Sequence, residues 1–204
     1  MTLFSEEVEA LARYWGQPRL VEMQIAVAPG LTEKAVSDFF SDRRGEVVMV
    51  IRRAVDGLVW VMTKVGFPKG LYCLPTGGIR HHETISAALR REIAEETGFE
   101  ALVQQFLAVI RYVPVPAPGD PPNVPAFVSF AFLLGEKNGQ DPVVSCGEKI
   151  LDFKAIAPME LETLAQQWRE LSGTSAEFHD LAAWGKFRGL THQVVGEALS
   201  SRGT

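Results

Sequence analysis

GGIRHHETISAALRREIAEETGF, Gly77 to Phe99, sets three glutamates (Glu92, Glu95 and Glu96) within five residues, directly behind two arginines, Arg90 and Arg91. The spacing predicts a helix over Thr84 to Thr97, with Thr84 as its N-cap and Gly98 as its C-terminal stop. Ile85, Leu89 and Ile93, four apart, make an apolar stripe that needs a sheet to pack on. Glu92, Glu95 and Glu96 stand at i, i+3 and i+4, so their carboxylates converge on an adjacent face. Like charges at that spacing repel, and the helix dipole is itself negative at this end. Local energetics oppose the arrangement by roughly a few tenths of a kcal/mol per pair. A sequence that breaks a local rule often does so at a functional site. Converging carboxylates suit a hard divalent cation, and Mg²⁺ would also bridge to substrate phosphates. One carboxylate not used as a ligand can take a proton from an attacking water. The competing reading of these residues alone is a solvated helix face with an Arg91–Glu95 salt bridge.

The sequence on either side supplies the sheet. Val47 to Arg53 and Leu58 to Val65 read as strands joined through the turn Asp56-Gly57. GFPKG, residues 66 to 70, reads as a loop, and Tyr72 to Leu74 as a short strand. Val103 to Val113 and Ala126 to Leu134, rich in branched and aromatic residues, are the next strands, followed by Ile150 to Ile156. Six prolines in residues 111 to 127 predict a stiff, extended loop between two of these. Helices are expected over Glu160 to Leu171 and Phe178 to Leu199. Before the first hairpin lie an amphipathic helix over residues 3 to 15, a strand over Leu20 to Ala28, a short helix over Thr32 to Phe40 and a polar boundary at Ser41 to Glu46. Irregular alternation of strands and helices indicates an α/β or α+β domain with a mixed sheet.

Composition bounds the function. The chain has 204 residues, 47% of them hydrophobic, and a formal net charge of −5, the profile of one globular domain with a real core. Mild acidity argues against a nucleic-acid polymer as partner, yet leaves room for a small phosphorylated ligand whose charge a divalent cation balances. Cys73 and Cys146 are far apart and lack metal or redox spacing, which fits a reducing cytoplasm. No basic-then-apolar leader and no membrane-length apolar run is present in the sequence, so no membrane partner is expected.

The quoted segment matches the signature Gx5Ex7REUxEExGU (U aliphatic or aromatic) at Gly77, Glu83, Arg91, Glu92, Ile93, Glu95, Glu96, Gly98 and Phe99. A chance match to its fixed identities in a chain this long is on the order of one in a million. The chain therefore resembles a Nudix hydrolase. The resemblance implies an α/β/α sandwich with a mixed central sheet. Residues 1–42 would be a helix and strand extension, and residues 43–204 the hydrolase domain with its C-terminal helices. It implies a metal-dependent pyrophosphohydrolase in which Glu92, Glu95 and Glu96 are the metal-binding and catalytic carboxylates. The Gly77 carbonyl is a further ligand, and Arg91 orients or neutralises the glutamates with Glu83 in support. Glu148 is where such proteins often place an extra ligand or base, with Asp120 and Asp152 as rivals. Mg²⁺, or Mn²⁺ in its place, is the implied cofactor.

The implied substrate is a small nucleoside diphosphate linked to another group. Pro114, about fifteen residues past the motif, leans toward ADP-ribose or a nucleotide sugar. A hydrolase of nucleoside triphosphates or dinucleoside polyphosphates, a non-catalytic nucleotide sensor and a Nudix isomerase stand as alternatives. Thr76, Arg80 and His82 depart from commoner versions of the loop without touching the fixed positions. The basic loop around His81 and His82 is open to meeting a substrate phosphate. Residues 1 to 42 have three open roles: covering a sheet edge, forming a homodimer interface or shaping the pocket.

Overall fold

A computed structural model describes residues 5–26, 43–98, 100–115, 126–137, 141–143, 149–173 and 181–201. In chain order the elements are α1 (Ser5–Trp15), β1 (Arg19–Ala26), β2 (Gly45–Arg52), β3 (Val59–Lys64), β4 (Thr76–Ile79), α2 (Ile85–Thr97), β5 (Ala101–Val115), β6 (Phe127–Glu136), β7 (Ile150–Ile156), α3 (Glu160–Arg169) and α4 (Leu181–Ser200).

The strands form one seven-stranded sheet in the order β1-β5-β6-β2-β3-β7, with β4 also paired to β2. β1 runs parallel to β5 and β2 parallel to β6, while the other pairings are antiparallel, so the sheet is mixed as expected. Val47 to Ile51 of β2 are all fully buried, which identifies a central strand covered on both faces. Alternation sends Val47, Met49 and Ile51 to one face, where Ile85, Leu89 and Ile93 of α2 and Leu11 of α1 pack on them. Trp15 of α1 meets Phe132 of β6 edge-on with ring centroids 6.0 Å apart. Val48 and Val50 point to the opposite face, covered by Leu161 and Leu164 of α3 and by Phe187, Val194 and Val195 of α4. The result is the α/β/α sandwich.

The hairpin at Asp56-Gly57 forms, with Gly57 at φ 74° and Arg53 N–H bonded to Leu58 O at 2.8 Å. Elsewhere the sequence reading needs correction. Tyr72 to Leu74 is not a strand: only Cys73 bridges, to Met62. The strand lies instead at Thr76–Ile79, through the glycine pair, because backbone there pairs with Gly45 to Val48 on the open side of β2. β5 continues past Val113 through Pro114 to Val115. Its pairing with β6 ends at Tyr112–Phe127, so beyond that point it pairs with β1 alone, and a residue lacking an N–H is tolerated. Gly45 and Glu46, read as part of a boundary, open β2. α3 ends at Arg169, two residues before Leu171. The helix expected over Thr32 to Phe40, the proline-rich stretch from residue 116 on, Asp120, Cys146 and Glu148 lie outside the described residues. Among the described residues no helix is long and apolar enough to cross a membrane.

Candidate active site

β3 ends at Lys64, on the face that alternation gives to Trp60, which packs in the cluster with α2. The chain turns through residues 65–71, with Gly66 at φ 89° and Gly70 at φ 81°, and Cys73 then exchanges two 2.8 Å backbone bonds with Met62. Two groups from the opposite face hold this approach. Trp168 Nε1–H donates to Tyr72 O at 2.8 Å, and Leu74 N–H donates to His192 Nε2 at 3.0 Å. Backbone so fixed leads straight into β4, where Gly77 pairs with Val47.

The lack of a side chain at Gly77 makes room for Glu92. A Cβ there would lie 1.9 Å from Cδ and 2.0 Å from Cγ of Glu92, well inside contact distance. The Glu92 side chain therefore lies directly against the Gly77 backbone. Thr84 caps α2, accepting from Ala87 N–H at 3.1 Å, and Gly98 closes it in the left-handed conformation at φ 66°. Both ends of the helix are where the sequence placed them.

Within this frame Arg91 is the hub. Nε and Nη2 donate to the two oxygens of Glu83, each at 2.8 Å, and Nη2 also reaches Gly78 O at 2.8 Å. Nη1 donates to Glu92 Oε1 at 2.7 Å and to Glu95 Oε2 at 2.8 Å. The hydrogen bonds from Arg91 hold the Glu83 carboxyl below its usual range, against the effect of partial burial. Glu83 in turn, followed by Glu92 and Glu95, holds the Arg91 guanidinium firmly protonated. Glu96 is 2% exposed and pairs with Lys64, whose Nζ is 2.6 Å from its Oε1. Glu92 is also buried, whereas the Glu95 side chain is 43% exposed.

Glu83, Glu92, Glu95 and Glu96 are thus tied by ion pairs to Arg91 and Lys64, and the charge of Arg80 also acts on Glu83. Among the described residues no three His, Cys, Asp or Glu side chains stand in position to hold a metal ion, and one oxygen each of Glu92, Glu95 and Glu96 is bonded to Arg91 or Lys64. The donor chemistry is nonetheless that of a hard divalent cation. It offers the carboxylate oxygens of Glu92, Glu95 and Glu96, gathered on one helix.

The other sequence-named residues stand apart. Asp152, on β7, accepts from Tyr72 OH at 2.7 Å. Its register partner Thr63 precedes Lys64, so alternation turns it away from α2. His81 and His82 are exposed. Sequence reasoning missed Lys64, whose only signal is its strand parity with Trp60 and Met62. It also missed the buried polar group beneath the opposite face. There Arg188 Nη1 lies 3.1 Å from Glu46 Oε1, which also accepts from Ser129 Oγ at 2.7 Å.

A family model described as NUDIX domain matches residues 33–177. No curated protein matches the chain in sequence. Among solved structures, a C. elegans Ap4A hydrolase in a binary complex is 13% identical, with a TM-score of 0.51 over 77% of this chain and 95% of that one. That likeness is one of fold. A UDP-X diphosphatase is 15% identical, with a TM-score of 0.46 over 98% of this chain and 73% of that one. An ADP-ribose pyrophosphatase from Streptococcus suis is 14% identical, with a TM-score of 0.43 over 77% of this chain and 90% of that one.

Proposed function

The chain belongs to the NUDIX family of hydrolases acting on phosphoric anhydrides, and from that premise we propose that it is a metal-dependent pyrophosphohydrolase. Its substrate would be a small nucleoside diphosphate linked to another group, with ADP-ribose or a nucleotide sugar as the favoured class. The observation that carries the reading is the Arg91-centred cluster of Glu83, Glu92 and Glu95, with Glu92 lying against the Gly77 backbone.

Glu92, Glu95, Glu96 and the Gly77 carbonyl would hold Mg²⁺, or Mn²⁺, with Glu148 as a further candidate. When bound, such a cation draws charge from the phosphoryl oxygens and makes a nearby water more acidic. The protein's own groups do the rest. Gly77 leaves the space in which Glu92 lies, and Arg91 fixes the orientation of Glu92 from Glu83 and the Gly78 carbonyl. Glu95, the most exposed of the three motif glutamates, is free to turn off Arg91 toward a ligand. A carboxylate of the cluster accepts a proton from water as its oxygen attacks one phosphorus and the bridging P–O bond breaks. A phosphate monoester leaves on each side of the broken bond. Pro114 is the lean toward ADP-ribose or a nucleotide sugar. A cytoplasmic setting fits the buried, unbridged Cys73.

The test is a hydrolysis panel with Mg²⁺ or Mn²⁺ and an EDTA control, products identified by mass. It would include ADP-ribose, nucleotide sugars, dinucleoside polyphosphates, NADH, CoA and nucleoside triphosphates. Metal-dependent cleavage of one class at its diphosphate bond is the expected result. Tight binding of one compound with no turnover of any would replace this reading with a sensor.

A further inference from the structure

The first residue matched to the family is 33, yet a side chain from well before it touches the catalytic helix. Glu7 lies on α1, four and eight residues before Leu11 and Trp15, so it shares their packed face rather than the solvent face. Its Oε1 accepts from Ile85 N–H, the first amide of α2, and its Oε2 lies 3.3 Å from Arg44 Nη2. Arg44 donates from the same nitrogen to the Glu83 carbonyl.

The first amides of a helix have no intrahelical acceptor. Thr84 satisfies the amide of Ala87 and leaves Ile85 to another group. A carboxylate at this end also meets the positive pole of the helix dipole. One side chain therefore fastens the start of α2 and, through Arg44, the backbone of Glu83, whose carboxylate grips Arg91. The Glu7 side chain is 24% exposed and the Arg44 side chain 22%, so water competes only in part.

We propose that Glu7 is a positioning residue for the hydrolysis proposed above, on which this inference rests. The N-terminal helix completes the active site by capping the helix that carries the glutamates.

Glu7→Ala, Glu7→Gln and, as a control on the exposed side of α1, Glu9→Ala would be compared with wild type in two ways. One is NMR-detected amide exchange at Ile85, and the other is kcat and KM on the compound the panel identifies. Glu7→Ala is expected to speed exchange at Ile85 and lower kcat, each about tenfold, with KM within about twofold. Glu7→Gln keeps an acceptor oxygen and is expected to return both to within about threefold of wild type. Glu9→Ala should match wild type.

Wild-type exchange or wild-type kcat in Glu7→Ala overturns the proposal. A loss in Glu7→Gln equal to that in Glu7→Ala also overturns it, because general destabilisation would do the same. Should Glu7→Ala fail to fold, Glu7→Asp decides. Its shorter carboxylate keeps charge near Arg44 but withdraws from Ile85, so unchanged exchange and kcat would overturn the cap. If wild type turns over nothing on the panel, the activity reading falls and this proposal with it. Wild-type turnover with an unaffected Glu7→Ala removes this proposal alone.

Discussion

Nε and Nη2 of Arg91 each lie 2.8 Å from a different carboxylate oxygen of Glu83. This is the two-pronged geometry that a guanidinium makes and an ammonium cannot. It leaves Nη1 free to span Glu92 and Glu95, so one planar group sets the spacing of three carboxylates. Arg91→Lys keeps the charge but loses the fork. It should lower kcat by about 10- to 100-fold with the fold intact, as expected when reacting groups are misplaced. Steady-state kinetics beside circular dichroism would check this, and near-wild-type kcat would refute an orienting role for the guanidinium.

Glu95→Gln and Glu96→Gln each replace a carboxylate with a neutral isostere. Both should lose turnover by about 10²- to 10⁴-fold, the range spanned by losing a proton acceptor. Their stabilities should differ. Glu95 is exposed, and its change should leave the melting temperature nearly unaltered. Glu96→Gln strips the buried countercharge from Lys64 and should lower it by several degrees. Near-normal activity of both variants with Mg²⁺ present would sink the assignment of the site.

Gly77→Ala places a methyl group where Glu92 now runs. The methyl has backbone on one side and the Glu92 stem on the other, so Glu92 must leave its position against the β4 backbone. Overpacking of this kind costs about 1–3 kcal/mol. The activity loss should exceed what that destabilisation explains, because the displaced group is a motif carboxylate. Chemical denaturation and kinetics on one preparation separate the two effects. By contrast, a methyl on Gly78 would stand 3.3 Å from the Arg43 guanidinium, the end of a long side chain that can move. Gly78→Ala should therefore be far milder.

The helix of the motif was legible to its caps because Thr84, Gly98 and the Ile85, Leu89, Ile93 stripe are local signals, and local signals fix local structure. The mixed α/β class followed from the irregular alternation of strands and helices, whereas the three layers were implied by the family resemblance alone. What stayed hidden depends on strand parity or long-range contact. β4 was missed because two glycines read as loop, although the missing side chain at Gly77 is what lets Glu92 lie against it. Lys64 reaches Glu96 only because β3 starts in the register that puts it on the α2 side. Glu7 belongs to no motif. Its position four residues before Leu11, on the packed face of an amphipathic helix, was the signal available, and the Ile85 amide it meets is 78 residues away. His192 gave no sequence signal at all.

His192 offers a test by pH. It is 1% exposed, its Nδ1 bonds the Arg188 carbonyl, and its Nε2 accepts from Leu74 N–H at 3.0 Å, which fixes the neutral Nδ1–H tautomer. Burial pushes its pKa down to about 4, with the carbonyl of Arg188 opposing the shift. A folded value below the unfolded value of 6.5 means that the unfolded chain binds the extra proton between them. The contribution is therefore fully present above about pH 6.5 and falls as pH drops toward 4, at up to about 1.4 kcal/mol per pH unit. Glu83, held down by Arg91, contributes in the same direction, but only as pH falls below its ordinary value of 4.5. Urea unfolding of wild type and His192→Gln between about pH 7 and pH 5 isolates the histidine. Gln can donate to Arg188 and accept from Leu74 without titrating, so its stability should change less with pH across that window. Parallel slopes for the two proteins would mean that His192 is not held neutral, and that Leu74 is not tied to α4 in the way the geometry indicates.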